Sequence, residues 1–158
     1  MKFNSARILP GLAGILAAAL IPLHAQGSHC STAAAAGNWA YTYTGSVITP
    51  NGPVPAASVG HYSQDAAGKV TGSQTRSVAG SSGVEEILGT LSVNADCTGT
   101  GTINVFVNGQ LQRTAVLVLA YDSSGNHARM IFESLTLPDG TNIPVVLTVD
   151  ANRLVPRD

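Results

Sequence analysis

From about residue 38 onward, apolar and polar residues alternate singly along short runs, and each run ends on a turn signal. A period of two places successive side chains on opposite faces, the mark of a half-buried strand. Eight strands are predicted, over 38–48, 57–64, 69–78, 84–93, 100–107, 111–121, 127–136 and 143–149. Beyond the N-terminal segment no apolar i, i+3, i+4, i+7 spacing persists, so no helix is predicted. The fold class is therefore all-β.

The turns between these runs share a chemistry. Asp65-Ala66-Ala67-Gly68, Asp96-Cys97-Thr98-Gly99 and Asp122-Ser123-Ser124-Gly125 all read Asp-x-x-Gly. The carboxylate can accept from the turn backbone, and the glycine can take positive φ as the next strand starts. Asn108-Gly109 is a strong two-residue hairpin signal. A four-residue turn is expected at 79–82, and Pro138-Asp139-Gly140 marks the last connection. The stretch 49–56 contains Pro53 and Pro55 and is expected to be a mobile loop, because proline removes ladder donors. Short turns imply antiparallel neighbours in up-and-down order, and eight open strands would leave two bare edges. Closure into an eight-stranded antiparallel up-and-down barrel removes them, with a two-sheet β-sandwich as the alternative.

Strand parity assigns faces. Trp39, Tyr41 and Tyr43 share one face, as do Ile87, Gly89, Leu91 and Val93, then Ile103, Val105 and Val107, then Val145, Leu147 and Val149. These faces are expected to point inward. Strands 111–121 and 127–136 are apolar on both faces, so part of the outer wall there is expected to be covered by the N-terminal tail or by another subunit, a possible homo-oligomer contact. A turn at 79–82 would set Arg76 opposite Glu85 and Gln74 opposite Ile87. The Arg76–Glu85 pair is then either a rim salt bridge or, if that face is inward, the polar part of a binding site.

The first residues belong to a different pattern. Lys2 and Arg7 precede an apolar run over 8–23, with small residues at Ala25 and Gly27. That is the layout of a secretory signal peptide cut after Ala25, and the run is short for a membrane span. The expected organisation is a signal peptide over 1–25, a flexible tail over 26–37, the β domain over 38–150 and a C-terminal tail over 151–158. The mature chain would keep six basic and nine acidic residues, a formal charge of −3. No basic stripe remains, which argues against nucleic acid as a partner. The aromatic residues do not form girdles at the strand ends, which argues against an outer-membrane barrel. Secretion or a periplasmic location follows from the signal.

Two cysteines in an oxidising compartment are most simply a disulfide, here Cys30–Cys97. It would close a loop of 67 residues, with a chain-entropy stabilisation of roughly 4 kcal/mol. Lipidation of Cys30, or a metal site using His29 and Cys30, are the alternatives; neither has the flanking residues or ligand spacing it needs.

No nucleophile elbow, phosphate loop or zinc-protease helix is present. His61 and His127 lie on strands with no neighbour that marks a general base, and Glu85-Glu86 point to opposite faces. No catalytic residue, metal ligand or cofactor is assigned. The candidate ligand-binding residues are Trp39, Tyr41, Tyr43, Tyr62, Gln74, Arg76 and Glu85.

Several phrases resemble a family of uncharacterised secreted bacterial β proteins. They are Gly52-Pro53-Val54-Pro55-Ala56, Val59-Gly60 leading to Asp65-Ala66-Ala67-Gly68, 71–78, 89–99 and Ser134-Leu135-Thr136-Leu137-Pro138. The resemblance covers most of 39–149 and implies export, but carries no activity or site residue across. The strand order is similar to the calycin and allene-oxide-cyclase type of barrel, a likeness of architecture alone. Three functions follow as expectations: a binding module for a small apolar or aromatic ligand, a surface or interaction protein without ligand, and a cyclase- or isomerase-like enzyme.

Overall fold

A computed structural model describes residues 30–154. The expected signal peptide, its expected cut after Ala25 and residues 155–158 lie outside that range. Eight strands form one closed antiparallel barrel in sequence order: β1 (Gly37–Thr49), β2 (Gly52–Gln64), β3 (Lys69–Val78), β4 (Ser81–Val93), β5 (Thr98–Val107), β6 (Gln110–Tyr121), β7 (His127–Thr136) and β8 (Val145–Arg153). β8 pairs with β1 and removes both edges. The sandwich alternative is thereby excluded.

The inward faces are those that parity indicated. Trp39, Tyr41, Tyr43, Ile87, Leu91, Val93, Val105, Leu147 and Val149 are all buried in one core. The outer wall mixes Thr, Ser and Asn with exposed apolar residues, among them Val59, Val84, Leu88 and Val146. The interior is apolar, unlike the polar lumen of a porin-like membrane barrel. No helix among the described residues is long and apolar enough to cross a membrane. On β6 and β7, Val118 and Ile131 are opposite each other and about half exposed, so nothing among the described residues covers that part of the wall.

Three local expectations are corrected. The 49–56 stretch is not a loop: β1 and β2 run to a tight turn at Pro50-Asn51, with Pro53 and Pro55 inside β2. The Pro55 carbonyl accepts from Ala79 N on the β3 side. Residues 53 and 55 thus turn their polar backbone away from β1, and β3 pairing begins only at Ala56, so no ladder donor is lost. The β3–β4 turn has two residues, not four, with Ala79 and Gly80 both at positive φ. This moves the register by two: Arg76 faces Gly83 and Gln74 faces Glu85. In Asp96-Cys97-Thr98-Gly99 the positive φ falls on Cys97. Gly99 is needed for close packing, since a Cβ there would meet the Ser92 carbonyl at 2.2 Å.

One end of the barrel is plugged. Cys30 and Cys97 form a disulfide that fastens residues 30–36 to the β4–β5 turn. The Thr32 hydroxyl accepts from Val93 N, and Arg153 donates to the carbonyls of Ala34, Ala36 and Gly125. Beneath this segment Trp39 is fully buried. Its indole N–H donates to Ala35 O, Tyr62 stacks on it, and the Arg153 guanidinium lies 4.9 Å from the ring centre.

Candidate functional site

The other end of the barrel holds a cavity of about 300 Å³. It opens between half-buried Val47, Val78, Leu137 and Ile143, where the β1–β2, β3–β4, β5–β6 and β7–β8 connections gather. Most of its wall is apolar, with Met130, Phe132, Leu135, Leu147 and Val149 on one side and Ile87, Leu91, Val105 and Leu117 on the other. Tyr41 and Tyr62 lie toward the plugged end. Gly60 gives Tyr41 its place: a Cβ there would stand 2.9 Å from the ring and 2.6 Å from the Ser73 carbonyl.

Most of the polar groups gather at one corner. Glu85 begins the inward row of β4 and is 2% exposed. Its Oε1 accepts from Arg76 Nε and Arg113 Nη1, each at 2.8 Å, and its Oε2 accepts from Arg113 Nη2 and from Gln74 Nε2 at 2.7 Å. The Gln74 carbonyl accepts in turn from the Tyr41 hydroxyl at 2.8 Å and the Ser58 hydroxyl at 3.0 Å. Every member of this Tyr41–Ser58–Gln74–Glu85 network is hydrogen-bonded, as a low-dielectric interior requires, whereas the buried Tyr62 hydroxyl has no partner among the described residues. A one-residue bulge at Gln112 lies next to Arg113, whose side chain is in the inward row with Ala115 and Leu117.

Burial raises the Glu85 pKa, but the hydrogen bonds and charge of Arg113, with hydrogen bonds from Arg76 and Gln74, outweigh it. The carboxyl stays below the ordinary range and is ionised. Burial pushes the Tyr41, Tyr43 and Tyr62 phenols up, and Tyr121 up to about 12, so all four are neutral hydroxyls.

Of the seven candidate ligand-binding residues, Tyr41, Tyr43, Tyr62, Gln74 and Arg76 line the cavity. Glu85 stands behind Arg76 and Arg113, and Trp39 belongs to the plug. Arg76 and Glu85 meet diagonally, two residues out of register, not directly opposite as the longer turn implied. Sequence reasoning missed Arg113 and Ser58. Arg113 was accessible by parity with Leu117, but β6 is apolar on both faces and its inward row was ambiguous.

His61 points outward, and His127 pairs with Asp150 on the outer wall at 2.8 Å, away from the cavity. No cluster of three His, Cys, Asp or Glu able to hold a metal occurs among the described residues. The arrangement offers an apolar volume and fixed hydrogen-bonding groups at one corner.

No family model matches the chain, and no curated protein matches it significantly. Among solved structures, it is similar to an S-type phycobiliprotein lyase from Guillardia theta, with a TM-score of 0.48 and 9% identity over 83% of this chain and 97% of that one. It is also similar to the Rv2717c protein of M. tuberculosis, with a TM-score of 0.34 and 12% identity over 77% and 94%. At these values neither likeness informs the site.

Proposed function

We propose that this chain is an exported binding protein that holds a small apolar or aromatic molecule inside its barrel. One observation carries the reading: the cavity is walled by apolar side chains and has most of its polar groups gathered at one corner. Small-molecule sites combine these two features, with volumes from about 300 Å³ upward. A dry apolar cavity of about 150 Å³ is enough for benzene, so this one suits a body of one or two rings. The plugged end supports a ligand that enters and leaves past Val47, Val78 and Ile143. Export rests on the N-terminal pattern, and the Cys30–Cys97 disulfide is consistent with an oxidising compartment.

Titration calorimetry with indole, supported by methyl NMR shifts, tests the reading. Binding in the micromolar-to-millimolar range is expected. Ala115 is 2% exposed and lines the cavity, so Ala115→Phe should fill the space and abolish binding. Binding that survives Ala115→Phe in a folded protein removes the interior as the site.

A further inference from the structure

Charged groups facing the cavity are unequal in sign. The charged side chains that line it are Arg76 and Arg113, and both are cationic. Glu85 lies behind them and supplies one negative charge to two positive ones. The polar corner therefore carries a net charge of +1.

The two arginines are not equally committed. Arg113 gives both terminal nitrogens to the Glu85 carboxylate, a bidentate pair that holds it in place. Arg76 gives Glu85 only its Nε. Its two terminal nitrogens make no hydrogen bond to protein among the described residues, and its side chain is 32% exposed at the cavity. The phenol of Tyr43 stands beside Arg113 at the same corner. A wholly apolar ligand would strip water from this guanidinium and return nothing, which is unfavourable. A carboxylate would pair with it through two parallel N–H···O bonds.

We infer that the ligand is a small monocarboxylate whose apolar or aromatic body fills the barrel and whose carboxylate sits on the terminal nitrogens of Arg76. This rests on the cavity being the binding site. The charge balance selects a monoanion: one carboxylate neutralises the corner, whereas a phosphate dianion leaves an unpaired negative charge in a partly enclosed space.

The test compares three probes that share a phenyl ring, 3-phenylpropanoate, 3-phenylpropanamide and phenyl phosphate, by calorimetry on the oxidised protein at pH 7. The acid should bind at least tenfold tighter than the amide at low salt. The gap should narrow in 0.5 M NaCl, because the ion pair is partly exposed. Arg76→Met should bring the acid down to the level of the amide. Glu85 keeps its bidentate partner Arg113 in that variant, and Trp39 fluorescence reports whether it is folded.

Equal binding of acid and amide to the unaltered protein overturns the carboxylate assignment while leaving the cavity reading standing, and needs no variant. Tighter binding of phenyl phosphate than of the acid overturns the monoanion. Failure of acid and amide alike at millimolar concentration overturns the cavity reading and this inference with it.

Discussion

Replacing Glu85 with glutamine should destabilise the barrel by about 3 kcal/mol. The carboxylate accepts four hydrogen bonds, three of them from guanidinium groups. Removing one member of a buried ion pair typically costs about 3–5 kcal/mol, because the remaining charge stays buried without compensation. Two features place this case at the lower end. Arg76 is one-third exposed and can turn to water, so its share is discounted. Glutamine also keeps one acceptor for Arg113. Arg113 itself is 14% exposed and has no such escape. A loss of about 3 kcal/mol corresponds to a Tm lower by roughly 10–15 °C in a domain of this size. Urea unfolding followed by fluorescence is a direct assay, since Trp39 is the only tryptophan and is fully buried. The double variant Glu85→Leu with Arg113→Met should lose much less than the two single variants together, because apolar replacement of a whole buried pair is often neutral. A loss under about 1 kcal/mol for Glu85→Gln, with an unchanged urea m-value, would refute the idea that the corner is an interdependent buried network.

Reduction of Cys30–Cys97, or the Cys30→Ser variant, should lower stability by about 4 kcal/mol through the 67-residue loop it frees, read as a lower urea midpoint. Glu85 has a folded pKa below its ordinary value of 4.5, so its contribution is full above that value and is lost as pH falls through the lower folded one. Acid titration of stability should therefore show a shallower low-pH limb in Glu85→Gln than in the unaltered protein. Gly60→Val should destabilise by several kcal/mol or prevent folding, since even a Cβ at this position meets the Ser73 carbonyl and the Tyr41 ring; thermal unfolding reads it. Arg153→Met should loosen residues 30–36, seen as faster amide exchange at Ala35 and Ala36.

The strands and their faces were legible because period-two alternation and Asp-x-x-Gly turns act locally. The barrel was legible because eight short-looped strands have few ways to hide their edges. What failed was chemistry that depends on partners outside the local run. Pro53 and Pro55 read as a loop because the direction of their polar backbone groups is decided by the β1 register. The Ala79-Gly80 turn read as longer because alanine rarely takes positive φ, and that error displaced the Arg76–Glu85 register by two. The pair still met, since displacement by an even number keeps both side chains on one face. Arg113 escaped notice for a different reason: it joins Glu85 from β6, 28 residues away, and no local pattern links them.

Intermolecular NOEs from bound indole locate the site directly, because inward and outward residues alternate on the same strands. Contacts to the methyls of Leu117, Met130 and Leu147 are expected, with none to Val118 and Ile131 on the outer wall. Contacts to Val118 and Ile131 without Leu117 and Met130 would contradict a ligand held inside the barrel.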